Sequence, residues 1–272
     1  MQASKEWQLA REAAERYEQI LVPAILGPAA EALVDWSKLE PGDAVVDVGC
    51  GTGAAARFAA EGDDPPHRIV GVDVNPGMLE VARRSSSDRG TLIEWFENSA
   101  HELPFHDGEF DVALCAQTLQ FLKDAPRAVA EMHRVLKPGG RIAVSLWCRI
   151  GENPYFDALV DAMSNHIGAE TAGGLRAAFA LCESDTIRAL LVEAGFAQLE
   201  TTVEELTLEL PRADDFVPRH VSATPMSVGF SSASEDARQA VVRDVTERMK
   251  SYETDDCVRV PFRTHLAMGM KR

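Results

Sequence analysis

The stretch VVDVGCGTGAAARFA, residues 45–59, runs from an apolar segment through three glycines into a helical pattern. A strand that ends in glycines and opens a helix points backbone N–H groups and the helix N-terminus at a ligand, and the missing Cβ atoms let that ligand touch the main chain. Two ligand classes use nearly the same letters. As a dinucleotide fingerprint, Gly49, Gly51 and Ala54 satisfy GxGxx(G/A), and Asp73 follows at about the distance of a ribose-binding acid. Asp47 argues for a different ligand. It stands inside the strand two residues before Gly49, where a pyrophosphate gives no reason for a negative charge and a positively charged, hydrogen-bond-donating ligand does. Gly53 comes one position early for the dinucleotide pattern and completes GxGxG. A cap on a neighbouring turn is the other reading of Asp47, and on these residues alone both ligand classes stay open.

Outward from this turn, strands and helices alternate. RIVGVDV (68–74), LIEWFEN (92–98), FDVALCA (110–116) and RIAVSLW (141–147) read as strands; helices are expected from Ala54, over about 77–85, and between the last two strands. Asp124 caps that last helix and Pro126 sits in its first turn. Ala125, Ala128, Val129, Met132, Val135 and Leu136 form its buried stripe, and Lys137-Pro138-Gly139-Gly140 stops it. Such βα units imply a parallel sheet covered by helices, with ligands at the carboxyl ends of the central strands. Upstream, Ala10, Ala13, Ala14, Tyr17, Ile20 and Leu21 recur at helical spacing, and Pro23 and Gly27-Pro28 punctuate before a second helix over 29–39. Downstream of Trp147, helices over 153–167 and 184–194 are joined by a Gly/Ala-rich segment. The strand at 199–210 changes phase between Val203 and Leu206, which predicts a bulge or a face switch. An irregular Pro/Ser/Thr-rich stretch (214–232), an amphipathic helix (235–252) and a last strand (264–270) follow.

Charge and composition narrow the function classes. The 272 residues are 46% hydrophobic, as a packed enzyme-sized protein requires, and carry a net charge of −16. That charge repels a phosphate backbone and an anionic membrane surface, so nucleic acid is not an expected partner. The first residues lack the apolar core of a signal peptide, and no stretch approaches about 20 apolar residues, so no membrane insertion is expected. Cys50, Cys115, Cys148, Cys182 and Cys257 are an odd, scattered set without a CxxC pair. Neither a disulfide framework nor a metal site is indicated, and a cytoplasmic location fits.

DVGCGTG (47–53), GVDVNPGMLEVAR (71–83), NSAHELPFHDGEFDVALCAQTLQFL (98–122) and EMHRVLKPGGRIAVSLW (131–147) fall in the order and spacing of a known family. In them the chain resembles the class I S-adenosylmethionine-dependent methyltransferases, most of all the ubiquinone/menaquinone-biosynthesis-type small-molecule group, closely over residues 17–147 and loosely beyond. S-adenosylmethionine carries an ammonium, a sulfonium and no phosphate, which suits Asp47. The resemblance implies an α/β fold: a Rossmann-like doubly wound seven-stranded sheet with an antiparallel last strand, plus N-terminal helices and a helical cap insert. The corresponding division is an N-terminal helical lid (1–43), a cofactor-binding core (44–150), and a region of cap insert, acceptor-pocket segment and C-terminal strands (151–272).

By that resemblance Asp47 lies near the methionine end of S-adenosylmethionine, and Gly49, Gly51 and Gly53 let the backbone approach it. Asp73 accepts hydrogen bonds from both ribose hydroxyls. Val74 and Met78 flank the adenine, Met78 serving equally well as helix core. Ser99-Ala100 replaces the usual Asp-Ala pair at the adenine edge, exchanging a charge for a hydroxyl. Gln117 sits beneath the transferring methyl, with Thr118 and Gln120 after it, and Tyr17 folds over the cofactor as a lid or belongs to a buried stripe. His220, in the irregular stretch, is the candidate general base. His67, His106 and His133 are expected to be solvated, and His101 to cover the adenine edge. Trp147, Phe156, Phe179, Phe216, Met226 and Phe230 supply an apolar acceptor pocket or the core of a small cap. The expected activity is methyl transfer, O- or C-directed, to a small-molecule acceptor that is aromatic, quinone-like or polyketide-like. An NAD(P)-dependent oxidoreductase and a non-catalytic S-adenosylmethionine-binding protein are the alternatives, and homodimerisation is left open.

Overall fold

In the computed structural model, which describes residues 11–62, 64–90 and 92–272, one continuous helix precedes the sheet. It runs as α1 (Arg11–Arg16), a π-helical stretch (Tyr17–Leu26) and α2 (Gly27–Ser37). This corrects the expected break at Pro23 and Gly27-Pro28. Proline in an α-helix lacks its donor and its ring meets the carbonyl four residues back. In the wider π turn the bonds reach five residues back, as from Gly27 N–H to Val22 O, and Pro23 fits without a break. Ala10 lies outside the described residues. By length and composition alone the helix Arg11–Ser37 is apolar enough to cross a bilayer, contrary to the expectation of no such stretch. In this fold Leu21, Ile25, Ala29 and Leu33 are buried against the rest of the chain.

The βα alternation appears as β1 (Ala44–Val48), α3 (Ala54–Ala60), β2 (Arg68–Asp73), α4 (Pro76–Arg89), β3 (Glu94–Glu97), β4 (Phe110–Ala116), α5 (Ala125–Val135) and β5 (Leu136–Trp147). Next come α6 (Pro154–His166), α7 (Ala169–Ala177), α8 (Ser184–Glu193), β6 (Phe196–Leu210), α9 (Ala213–Ser222), α10 (Ser227–Ser232), α11 (Glu235–Met249) and β7 (Val258–Lys271). The seven strands form one sheet in the order β3-β2-β1-β4-β5-β7-β6. The first five are mutually parallel, and β7 runs antiparallel to both β5 and β6. The fold is thus the doubly wound seven-stranded one. Strand order reverses between β1 and β4, and the crevice beyond their carboxyl ends is where such sheets bind ligands. Every residue of β1 is buried, as expected where helices cover both faces of a parallel strand.

Asp124 caps α5 as expected, its Oδ1 accepting from Arg127 N–H at 3.0 Å. The helix does end at Val135, but Lys137 to Gly140 belong to β5: pairing passes from Phe110↔Leu136 to Val112↔Arg141, so these four residues bulge against β4. The bulge in β6 falls between Ala197 and Glu200, where Gln198 has φ +50, and not between Val203 and Leu206. Register is unbroken from Glu200↔Met268 to Leu210↔Val258. Val203 suggested a phase change because it is an apolar residue on the solvent face of an edge strand. The Gly/Ala-rich linker is the helix α7, and the stretch expected to be irregular folds as α9 and α10. In α9, Ala213, Phe216, Val217, His220 and Val221 bury one helical face. The π stretch, α6, α9, α11 and the adjoining ends of β6 and β7 share one apolar cluster, centred on Trp147, Tyr155, Phe156, Phe216 and Phe262.

Candidate functional site

At the carboxyl ends of β1, β2 and β4, beneath the π-helical stretch and the cap, lies a cavity enclosing about 1400 Å³ of empty space, its mouth included. One wall comes from the sheet: Asp47, Gly49 to Thr52, Val72 to Val74, Asn98, Ala100 and Ala116 to Thr118. The other comes from helices, including Leu21, Ile25, Phe156, Leu175 and His220. Among the described residues the lining contains two carboxylates and neither lysine nor arginine. That charge suits a cationic ligand and disfavours a pyrophosphate.

Asp47 is 1% exposed. Its Oδ2 accepts from Ala56 N–H at 3.2 Å, while its Oδ1 is buried with no partner among the described residues. Burial raises its pKa to about 7; the Ala56 bond and Arg57 oppose that rise and the Asp73 charge adds to it. Such a carboxyl is an unfilled acceptor awaiting a donor. Asp73 ends β2, its two oxygens accepting from Gly51 and Asn75 N–H at 2.8 Å each. Burial raises its pKa too. A carboxylate has about four lone-pair sites, so acceptor capacity remains for a diol.

The three glycines answer to different neighbours. At Gly49 (φ +72) a Cβ would lie 2.2 Å from Thr118 Cγ2, and at Gly53 (φ +85) 2.3 Å from the Trp95 ring. Only at Gly51 (φ +55) would it meet open space, so of the three it is Gly51 that leaves backbone free for a ligand. Gly53 is not among the residues lining the cavity, although its neighbours Thr52 and Ala54 are. Gly53→Ala is expected to lower the stability of the free protein by about 3 kcal/mol, from left-handed strain plus the clash. Gly51→Ala should cost only about 1–2 kcal/mol of strain while obstructing the ligand. Urea melts read the first effect and calorimetric titration the second.

Tyr17, Val74, Met78, Ala100 and Gln117 line the cavity. Tyr17 packs with Ala14, Met78 and Val81, so its lid position and its apolar stripe are one arrangement. Buried Arg57 links the lid to the glycine turn, bonding Glu18 Oε1 at 2.7 Å and the Thr52 carbonyl. Gln117 has φ +53, a strained conformation. It is held by its N–H to Ser145 O at 3.0 Å and by Nε2 donating to Thr264 Oγ1 at 3.1 Å, and its Oε1 is left unpartnered. Thr118 lines the cavity and ties β4 to the turn through Gly49 O at 2.9 Å; Gln120 is buried off the wall.

Ser99 departs from expectation. Its Oγ accepts from His101 N–H and lies 3.1 Å from His101 Nδ1, so its hydroxyl is engaged in its own turn, away from the cavity wall. Asn98 lines the cavity instead; nothing in its sequence context distinguished it from Ser99. His133 is half-buried and packs edge-on to Phe196 at 4.9 Å, so it is less solvated than expected. His67 and His106 are exposed.

His220 is 2% exposed and on the cavity wall, 2.9 Å from the Tyr155 hydroxyl through Nδ1. Burial lowers its pKa to about 3, so the ring is neutral and weakly basic near pH 7. Of the six apolar candidates Trp147 and Phe156 line the cavity, while Phe179, Phe216, Met226 and Phe230 pack into the cap core. The apolar lining that sequence reasoning missed comes from Leu21, Val22, Ile25, Leu26 and Ala30 of the lid, whose run ILVPAILGPAA carried the signal.

Comparison with known proteins agrees with this geometry. Residues 46–144 match the family model described as a methyltransferase domain. The chain is 34% identical over 188 residues to the ubiquinone/menaquinone biosynthesis C-methyltransferase of Vibrio cholerae, spanning 64% of this chain and 71% of that protein. It is 30% identical over 149 residues to the 2-phytyl-1,4-naphtoquinone methyltransferase of Nostoc sp., spanning 52% of this chain and 65% of that protein, just under two thirds of its length. Among solved structures, a Haemonchus contortus phosphoethanolamine N-methyltransferase in complex with S-adenosylhomocysteine superposes with a TM-score of 0.61 at 20% identity, covering 96% of this chain and 57% of that one. The dinucleotide reading of the glycine turn is set aside: the chain belongs to the class I S-adenosylmethionine-dependent methyltransferases, in the group of the ubiquinone/menaquinone-biosynthesis enzymes.

Proposed function

We propose that the protein transfers a methyl group from S-adenosylmethionine to a small, oxygen-bearing aromatic acceptor of the quinone type. Carbon is favoured over oxygen as the methylated atom, in keeping with the C-methyltransferase from Vibrio cholerae. The observation that carries the reading is one cavity whose described lining has two carboxylates at one end and aromatic side chains at the other. Lid, core and cap, residues 1–43, 44–150 and 151–272, divide the labour.

When bound, the cofactor supplies a methyl already activated on a sulfonium, so no residue need be covalently involved. Asp47 takes the ammonium of the methionine end on its unpartnered oxygen. The Gly51 backbone admits close approach, and Asp73 accepts the ribose hydroxyls. Val74, Met78 and Ala100 flank the adenine, with the Asn98 amide at its edge. Gln117 borders both ligands, and Tyr17 with the apolar lid residues excludes water and holds the acceptor in line. His220 enters as a group that touches the acceptor. Its low basicity speaks against the base role expected from the sequence. The net charge of −16 fits a small-molecule acceptor better than nucleic acid. Five free cysteines, three of them buried, fit a reducing cytoplasm.

Incubation with methyl-labelled S-adenosylmethionine and the reduced form of 1,4-naphthoquinone tests the reading. Label in an organic-extractable methylated naphthol is expected; label retained on the cofactor under saturating acceptor would count against the acceptor class.

A further inference from the structure

The acceptor end of the cavity carries few polar groups, and their protons can be counted. The Tyr155 hydroxyl is buried and lies 2.9 Å from His220 Nδ1, with no second acceptor among the described residues. If Nδ1 held the proton and donated to the phenol oxygen, the phenol hydrogen would be left buried without a partner. If the phenol donates to Nδ1, the one unpaired proton is instead the imidazole's on Nε2, carried by a ring that borders the cavity, whereas Tyr155 does not line it. His220 Nε2 has no hydrogen-bond partner among the described residues, and the ring is on the cavity wall. The ring neutrality that burial imposes agrees with a single-proton tautomer.

Trp147 presents a second unmatched donor. Its indole lines the cavity, is 7% exposed, and packs on Phe156 at 4.7 Å and on Phe179 at 5.0 Å between ring centroids. Its Nε1–H is buried with no acceptor among the described residues, and an indole nitrogen can only donate. Phe156 touches both rings, with His220 on it at 5.9 Å, so the two donor-bearing rings share one apolar neighbour. The remaining polar group on the cap side, Thr224, spends its hydroxyl proton on Val221 O at 2.9 Å.

We propose that His220 Nε2–H and Trp147 Nε1–H form a donor pair that recognises oxygen atoms of the acceptor, with Tyr155 as the positioning residue that sets the His220 tautomer. This rests on the methyl-transfer reading and deepens it. The site selects planar apolar molecules bearing carbonyl or phenolic oxygens, because buried donors left unpaired penalise an analogue without them. With its Nε2 already protonated, His220 orients the acceptor and does not take a proton from it.

The test uses the full chain saturated with S-adenosylhomocysteine. Two probes of nearly equal shape are titrated: 2,3-dimethyl-1,4-naphthoquinone, whose methyls block addition of the Cys50 thiol, and 2,3-dimethylnaphthalene. The quinone is expected to bind at least tenfold more tightly. Trp147→Phe and His220→Phe should each erode that preference while naphthalene affinity stays within about twofold. Nitrogen-15 NMR of histidine-labelled wild-type protein reads the tautomer without any substitution: the His220 proton is expected on Nε2, and Tyr155→Phe should release that preference. Equal affinity for the two probes, no binding of either, or a wild-type proton on Nδ1 would overturn the proposal. Failure of S-adenosylhomocysteine itself to bind would instead overturn the methyl-transfer reading, and the NMR measurement still decides the tautomer.

Discussion

Asp73→Ala is expected to weaken S-adenosylmethionine binding by about two to four orders of magnitude. Two hydrogen bonds from ribose hydroxyls to a carboxylate contribute about 1.5–3 kcal/mol each, and about 1.4 kcal/mol is a factor of ten in affinity. The substitution also strips the acceptor from Gly51 and Asn75 N–H, which Asp73 holds at 2.8 Å each. Loss of those bonds loosens the glycine turn just where the ligand meets backbone. Asp73→Asn keeps one acceptor oxygen and should fall between alanine and wild type. Calorimetric affinities for the three proteins, with circular dichroism to verify folding, check the order. Unchanged affinity in the alanine variant would refute the ribose assignment.

The second large effect is a pH dependence centred on Asp47. In the free protein its pKa is pushed up to about 7, chiefly by burial. A cationic ligand prefers the ionised carboxylate, so binding below that pH must expel a proton. Affinity for S-adenosylmethionine is expected to rise with pH by up to about tenfold per unit and to level off above about 7. Asp47→Asn should abolish the slope and weaken binding at pH 8. Stability runs the other way. Between the unfolded value, about 3.9, and the folded value, the native state binds more protons than the unfolded one. The Asp47 contribution therefore destabilises as pH rises through that window. Asp73 adds in the same direction. Urea melts from pH 5 to 8, compared between wild type and Asp47→Asn, isolate the effect from the many carboxylates that titrate elsewhere.

Local chemistry made the core of this fold legible. A buried strand, a glycine turn and a capped helix each follow from the residue types at 44–60 and 124–135, and their repetition implies the parallel sheet. Legibility fell where tertiary context overrode a local breaker. Pro23 reads as a stop, yet a π turn absorbs it. Pro218 and the serines around it read as irregular, although Phe216, Val217, His220 and Val221 already had helical spacing. The two carboxylates that line the cavity could be named from sequence because a charge inside a buried strand has few other uses. Gly53 could not be separated from Gly51, since the difference is the Trp95 ring lying against one and open space over the other. The Tyr155–His220 pair joins positions 65 residues apart on separate helices, and no local pattern announces it.

Calorimetric titration of the wild-type chain with S-adenosylhomocysteine and with NADH, in one buffer at pH 7.5, tests most directly whether the carboxylate-lined cavity is an S-adenosyl site. Saturable one-to-one binding of S-adenosylhomocysteine with no heat from NADH is the expected result. Binding of NADH with no response to S-adenosylhomocysteine would contradict it.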